Sequence, residues 1–492
     1  ANAETRIEAR LDGLGGNARI DGVIARPLDG AGVDIRVSAL TRDLAPLMRL
    51  WTTDRPFAGA AELALWLTDG QGPLAAREIR LAAVPAPGVD LRASGEVADV
   101  TALAGLSLRL SIEAANLAQL SPLVGGQLPS VRSARLEGRI GGTVGRPVLS
   151  QVSLRAGLAE GPQLTAQGGI DDVLGAGGLD LAIRLRGGDG KALSTLLDTA
   201  VPDLGAFDIA ARLHGGFAAP MLDGLKGRFG GPRGTLVTVE GAIGEPLAGR
   251  GLDLRVALRA ADLDRLAPLL GAALPSLPNF TAEGRITGSV RQPALADLSL
   301  RAGARPGLLL TGAGRVADAA AGTGLDLALR LRGDDGAALT RLLRAEFPAP
   351  GSFDIAARLA GSYTAPKVTE IDGRLRQPDG TDIRLAGDVA RPLQGAGLAL
   401  RLAASGEDLK SFAATQGLQL GDLKRFRMAG ELKGAAAAPV LENLTLDANG
   451  AGGTSVRLSG RIAEPLAGQG ADLRFQVDGS GATLAADLFA VD

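Results

Sequence analysis

The sequence predicts a mainly β protein with short helices: a β-rich α+β chain built as an elongated repeat array of antiparallel strands curled into a groove. Three observations predict it. The stretch Gly241-Ala-Ile-Gly-Glu-Pro-Leu-Ala-Gly-Arg-Gly-Leu-Asp-Leu-Arg-Val256 recurs in outline from Gly22, Gly95, Gly168, Gly314, Gly387 and Gly460, at a fixed step of 73 residues. A constant period of this kind is the signature of a repeat architecture. Within each copy apolar residues alternate with polar ones, as in Leu252-Asp-Leu-Arg-Val-Ala-Leu258, which is the period of a strand with one apolar face. The alternating segments are joined by short turns containing Gly and Pro, the pattern of an antiparallel meander.

Each unit reads as one short helix followed by about four strands. In a single continuous array the units run approximately over 43–115, 116–188, 189–261, 262–334, 335–407 and 408–480, with partial units at 1–42 and 481–492. The helix starts fall at Asp43, Asn116, Asp189, Asp262, Asp335 and Asp408, with Gly481 next in phase. Asp and Asn are favoured there because their side-chain oxygen accepts the orphaned N–H groups of a first helical turn. Apolar residues follow at helical spacing: Leu263, Leu266, Leu269 and Leu270 in one unit, Leu339, Leu342 and Leu343 in the next. Helices of about 8–10 residues are expected, ended by Pro129, Pro202, Pro275 and Pro348.

The first strand is read at 207–213 and 353–359, the second at 295–301, the third at 308–316 and 382–389, and the fourth at 325–331 and 398–402. Four strands in nearly seven units give about 26. Asp372-Gly373 and Asp379-Gly380 are the dipeptides that supply the positive φ angles of tight hairpins. A second period of 146 residues matches 116–157 with 262–303 and 189–228 with 335–374, so two unit types alternate.

The fourth strands define the candidate site. Side chains along a strand point to opposite faces in turn, so one face collects Val33, Ile35, Val37; Leu106, Leu108, Leu110; Leu179, Leu181, Ile183, Leu185; Leu252, Leu254, Val256, Leu258; Leu325, Leu327, Leu329, Leu331; and Leu398, Leu400, Leu402. Short helices can cap an edge of such a sheet, but they cannot cover its face, and no unit is set aside as a lid. The expected solution is a sheet curled round its own apolar face, dry within and charged outside, with glycines such as Gly312 and Gly314 permitting the bend. An apolar surface of that length exceeds what soluble monomers leave bare, and acyl chains suit a lining of Leu, Val, Ile and Ala.

Composition narrows the function. Lys and Arg number 52 against 54 Asp and Glu, so no net field draws the chain to nucleic acid or to anionic lipid headgroups. Aromatic residues make up only 3%, too few for base- or sugar-stacking platforms. There is no cysteine and hence neither a disulfide nor a thiolate metal site. No stretch approaches the roughly 18–20 apolar residues of a membrane-spanning helix, and the first residues carry no signal-peptide pattern. Both ends fall mid-unit, so the chain is expected to be part of a longer protein.

No catalytic or metal-binding group is expected, and no cofactor. The single histidine, His214, has Ala360 as its counterpart 146 residues on, which points to a structural or surface role. The Asp of each Leu-Asp-Leu lies opposite the leucines and is expected to pair with Arg across strands. Gly187 to Ala192 lacks the spacing and the Ser/Thr of a phosphate loop, and is read as a turn leading into a helix. Asn279-Phe-Thr281 and Asn443-Leu-Thr445 fit glycosylation sequons and carry no functional weight. Trp51 and Trp66 are expected to pack in the core.

The recurring Gly-x-Ile-x-x-Pro-Leu-x-Gly-x-Gly-Leu-Asp-Leu-x-Leu, then Asp-Leu-x-x-Leu-x-x-Leu and Phe-x-x-x-Gly-x-Ile-x-Gly, resembles the AsmA-like family over essentially the whole chain. That family is related to TamB and to the bridge-like lipid-transfer proteins built of repeating β-groove units. The resemblance implies a periplasmic, taco-shaped β-groove, anchored to the inner membrane in the full-length protein, that carries phospholipid toward the outer membrane in envelope biogenesis. The implied partners are phospholipid or other acyl-chain lipids, the two membranes, and envelope proteins at the ends. The expected function is thus a non-enzymatic lipid conduit. The alternative is a structural or chaperone-like scaffold that assists outer-membrane protein assembly by pairing its edges with client strands.

Overall fold

A computed structural model describes residues 4–13, 15–43, 59–70, 72–124, 127–158, 161–175, 177–190, 193–194, 205–230, 234–267, 274–337, 351–415, 421, 423–450, 453–465 and 469–479. The chain divides into two compact units, residues 1–231 with 236–254, and residues 232–235 with 255–492. The fold is mainly β with a few short helices, as the sequence predicts, and 27 strands are found among the described residues.

The first unit contains β1 (Thr5–Gly13), β2 (Gly16–Arg26), β3 (Ala31–Thr41), β4 (Ala61–Thr68), β5 (Ala75–Ala86), β6 (Val89–Asp99) and β7 (Ala104–Asn116). It continues through β8 (Arg132–Thr143), β9 (Arg146–Ala156), β10 (Gln163–Asp172), β11 (Gly177–Gly187), β12 (Phe207–Gly215), β13 (Pro220–Gly230) and β14 (Leu236–Glu245). Each of these strands pairs antiparallel with the next. The boundary between the units falls within β15 (Arg250–Asp262).

The second unit contains β16 (Pro278–Ser289), β17 (Pro293–Gly303), β18 (Leu308–Asp318), β19 (Thr323–Gly333), β20 (Ser352–Ser362) and β21 (Pro366–Arg376). It ends with β22 (Asp382–Arg391), β23 (Ala396–Gly406), β24 (Leu423–Ala435), β25 (Ala438–Gly450), β26 (Ser455–Glu464) and β27 (Gln469–Asp478). These too form an antiparallel meander, each strand paired with the next. In both units the sheet is open.

One crease repeats in register. The second strand of each period carries one extra residue with positive φ: Glu78 (48°), Gln151 (52°), Gly224 (59°), Asp297 (50°), Glu370 (54°) and Asn443 (52°). These residues are 73 apart. Each makes a bulge, which bends and twists its strand. Beside the bulge, in the third strand, stands the glycine that opens the repeated motif. At Gly387, with φ 143°, an added Cβ would collide with the Ala399 carbonyl oxygen of the next strand. Only a residue without a side chain tolerates both the angle and the approach.

Two local expectations are corrected. Asp372-Gly373 makes no turn: it lies inside β21, with Gly373 opposite both Ile355 and Leu385. The local dipeptide signal yields there to strand pairing on both sides. Asp379-Gly380 does turn the chain, with Gly380 at φ 87° and its N–H donating to the Gln377 carbonyl at 3.1 Å. Trp66 is not core: its indole Nε1 donates to Asp34 at 2.6 Å on the charged face of β3 and β4.

Helix starts fall where the spacing places them at Asn116, Asp262, Asp335 and Asp408, while the residues that follow Asp43 lie outside the described ones. Asn116 caps residues 117–120 through its accepted bond from the Ala118 N–H, 3.0 Å, and Gln119 returns a bond to the Asn116 N–H, 3.0 Å. Asp262, Asp335 and Asp408 accept from the N–H groups of Asp264, Ala337 and Ser411 at 3.2, 2.9 and 3.1 Å. The first turn is of the tighter 3₁₀ type at Leu117–Leu120 and Leu263–Leu266, and the α-helix after Asp408 spans Leu409–Thr415. Trp51, Lys191, Ala192, Pro202, Leu269, Leu270, Leu339, Leu342, Leu343, Pro348 and Gly481 lie outside the described residues.

Candidate functional site: the apolar face

The predicted lining residues fall on one face of the fourth strands. Those of β3, β7, β11, β19 and β23 alternate with exposed or partly exposed neighbours, and the same alternation runs through β15. Leu179, Leu252, Leu325 and Leu327 are buried, at 7–8% exposure. Val33, Ile35, Val37, Leu106, Leu108, Leu110, Leu181, Ile183, Leu185, Leu254, Val256, Leu258, Leu329, Leu331, Leu398, Leu400 and Leu402 are half-buried. Most of the face is thus half-buried, while Val316, Leu325 and Leu327 form a buried cluster against which Leu295, Leu298, Leu329 and Leu359 pack.

Register turns these stripes into rows that cross strands. In the first unit Ile79, Gly95, Leu108, Ile140, Leu149, Ile170 and Leu179 are successive partners from β5 to β11. In the second, Leu298, Gly314, Leu327, Leu359, Val368, Val389 and Leu398 form the same row from β17 to β23. The residues of strands one to three in these rows belong to the face as fully as the fourth-strand leucines. Their alternation is present in the sequence, but the crease shifts it by one residue at Glu78 and Asp297, which breaks the simple period.

Short helices close one margin of the face. Leu117 and Leu120 pack with Val89, Ile112, Ala114, Val131, Ala134 and Ala156. Leu263 and Leu266 do so with Ala260, Leu277, Phe280 and Ala302, and Leu409 with Ala404, Leu423, Phe426 and Ala448. Leu106, Leu108, Leu181 and Leu400 lie in none of these clusters. An apolar hollow of ≈ 430 Å³ opens between Leu11, Ala18, Ala39, Leu63 and Leu81.

The opposite face is laced with ion pairs, and the 146-residue period reproduces them. Arg212 grips Asp180 with two bonds, 2.6 and 2.7 Å, and Arg358 grips Asp326 with 2.7 and 3.0 Å. Arg184 holds Asp208 at 2.8 and 2.5 Å, and Arg330 holds Asp354 at 2.7 Å through each nitrogen. The arginine hydrogen bonds hold all four carboxyls below their ordinary pKa. The pairs of Asp180 and Asp326 are those expected of the Leu-Asp-Leu carboxylates, while Asp208 and Asp354 belong to the Phe-Asp-Ile of the first strand. His214 joins them, its Nε2 2.5 Å from Asp223 Oδ2.

The charged face is not a smooth exterior. A concavity of ≈ 760 Å³ opens on it in the first unit, between Glu62, Arg80, Arg92, Arg109, Arg135 and Arg139. Among the described residues no helix is long and apolar enough to cross a membrane. No family model, curated protein or solved structure matches this chain.

Proposed function

We propose that the chain is a non-enzymatic lipid-binding and lipid-transfer conduit whose apolar face shields phospholipid acyl chains between inner and outer membranes. One observation carries the reading. Leu298, Leu327, Leu359, Val368, Val389 and Leu398 make a cross-strand apolar row that the helical segments close only at its margin. Hydrocarbon laid along such a row gains about 0.8 kcal/mol for each methylene removed from water, and the side chains offer few polar atoms to select a headgroup. Phosphate headgroups would remain in solvent while the tails move from one equivalent row to the next, so that no step needs a reactive group.

Organic extraction of the purified chain followed by mass spectrometry tests this. Co-purifying phospholipid at one or more molecules per chain is the expected result. Its absence, together with no uptake of labelled phospholipid from vesicles, would leave the scaffold that pairs with client strands as the better reading.

A further inference from the structure

On the charged face of the first unit the fourth-strand aspartate is replaced by Ser107, and a basic hollow lies beside it. In β11–β12 and β19–β20 the fourth-strand Asp180 and Asp326 clamp Arg212 and Arg358. One period earlier than the first of these, the same positions are Ser107 and Arg139. The carboxylate is gone. The residue directly opposite Arg139 is Arg109, where the two clamp units have Ala182 and Ala328 and other units have Arg255 and Arg401. Arg80, whose counterparts in the two clamp units are Ser153 and Ser299 and elsewhere Lys226, Asp372 and Thr445, lies in the same row, with Ser94 between it and Arg109. Arg92 flanks that row, opposite Ser111.

These four arginines line the ≈ 760 Å³ concavity with Arg135, against the carboxylates of Glu62 and Glu137. Arg135 takes Glu137 at 2.8 Å and Glu113 at 3.4 Å. Among the described residues Arg80, Arg92, Arg109 and Arg139 have no carboxylate within ion-pair distance. Glu96 stands in an adjoining hollow beside Arg109 and Arg139. Like charges directly opposite each other across strands cost stability, so the facing Arg109 and Arg139 favour an anion between them; their counterparts 146 residues on, Arg255 and Arg285, have Asp253 where the first unit has Ser107. The row from Arg80 to Arg139 crosses three inter-strand gaps, about 15 Å, and the hollow has the size of a ligand site. Guanidinium forks match phosphate oxygens in pairs.

We propose that this hollow binds a ligand carrying two or more phosphate groups. The inference lies on the face opposite the apolar rows and does not rest on the lipid reading. A soluble diphosphate and a cluster of phospholipid headgroups present the same chemistry, and two probes separate them. Titration calorimetry of the whole chain with inorganic pyrophosphate reads the first. Co-sedimentation with phosphatidylglycerol vesicles, with phosphatidylcholine vesicles as control, reads the second.

The variant Arg80→Ser with Arg109→Ala takes residues that other units already carry in these positions, and should weaken whichever probe binds by about a hundredfold, roughly tenfold per arginine. Ser107→Asp restores the repeat's carboxylate beside Arg139 and should weaken it about tenfold while leaving every arginine in place. Binding of pyrophosphate identifies a soluble ligand, and binding of the anionic vesicles alone identifies headgroups. Failure of both probes, or equal binding by wild type and both variants, overturns the proposal.

Discussion

Gly387 stands directly opposite Leu400, and a Cβ on it would run into the Ala399 carbonyl oxygen. The pair ties the glycine of the motif to a leucine of the apolar face: the strand can crease there only because position 387 has no side chain. Gly387→Ala should therefore destabilise the chain by about 1–3 kcal/mol, the usual cost of a side chain held in a disfavoured backbone region. Gly145→Ala is the control, since a Cβ there meets nothing within 4 Å. Urea unfolding midpoints compare the two.

The bulge at Asp297 has φ 50°, and its counterparts include Gly224 and Asn443. Asp297→Gly should be nearly neutral, because glycine adopts this region freely. Asp297→Val should cost about 2 kcal/mol or more, because a β-branched side chain resists it. Thermal unfolding distinguishes a crease that demands the left-handed residue from one that merely tolerates it.

At the helix start Asp408 accepts bonds from both the N–H and the hydroxyl of Ser411, 3.1 and 3.0 Å. Asp408→Ala should lower stability by about 1 kcal/mol, the ordinary worth of such a cap, whereas Asp408→Asn should recover most of the loss. Denaturant titration of the three proteins reads the difference.

The Arg–Asp clamps predict the response to acid. Arg212 and Arg358 hold Asp180 and Asp326 below the ordinary value of 3.8. A carboxyl with a lowered native pKa contributes stability that is present above the unfolded pKa and lost as pH falls through the native one. Wild type should thus lose melting temperature as pH drops below about 4. The double variant Arg212→Ala, Arg358→Ala should lose less over the same range, having less to lose. Because the pairs are exposed, the effect should shrink in high salt.

Much of the architecture was legible because the period is rigid. Seven copies at six equal steps located every fourth strand, and Asp262 and Asp408 marked the helix starts. The crease was not legible. Glu78, Gln151, Asp297 and Glu370 are ordinary surface residues in a linear sequence, and only three-dimensional pairing shows that each is the odd one out in its strand. Once the bulge at 443 is seen, the Asn443-Leu-Thr445 sequon has a conformational reading, because asparagine tolerates positive φ better than most residues. Asp372-Gly373 misled for the converse reason: both neighbouring strands hydrogen-bond there, and the pair stays extended. The basic hollow did leave a trace in the sequence, Ser107 in place of the aspartate of Leu-Asp-Leu-Arg. Its meaning depends on Arg139, which lies on the next strand.

The most direct measurement uses the absence of cysteine from the chain. Leu327→Cys and Ala328→Cys are adjacent in β19 but project to opposite faces, Leu327 buried and Ala328 exposed. Each is labelled with an environment-sensitive fluorophore and mixed with vesicles containing a spin-labelled phospholipid whose nitroxide is on the acyl chain. If acyl chains lie along the apolar rows, the label at 327 shifts to the blue and is quenched, while the label at 328 changes little. Equal responses at the two positions, or none at either, would contradict it.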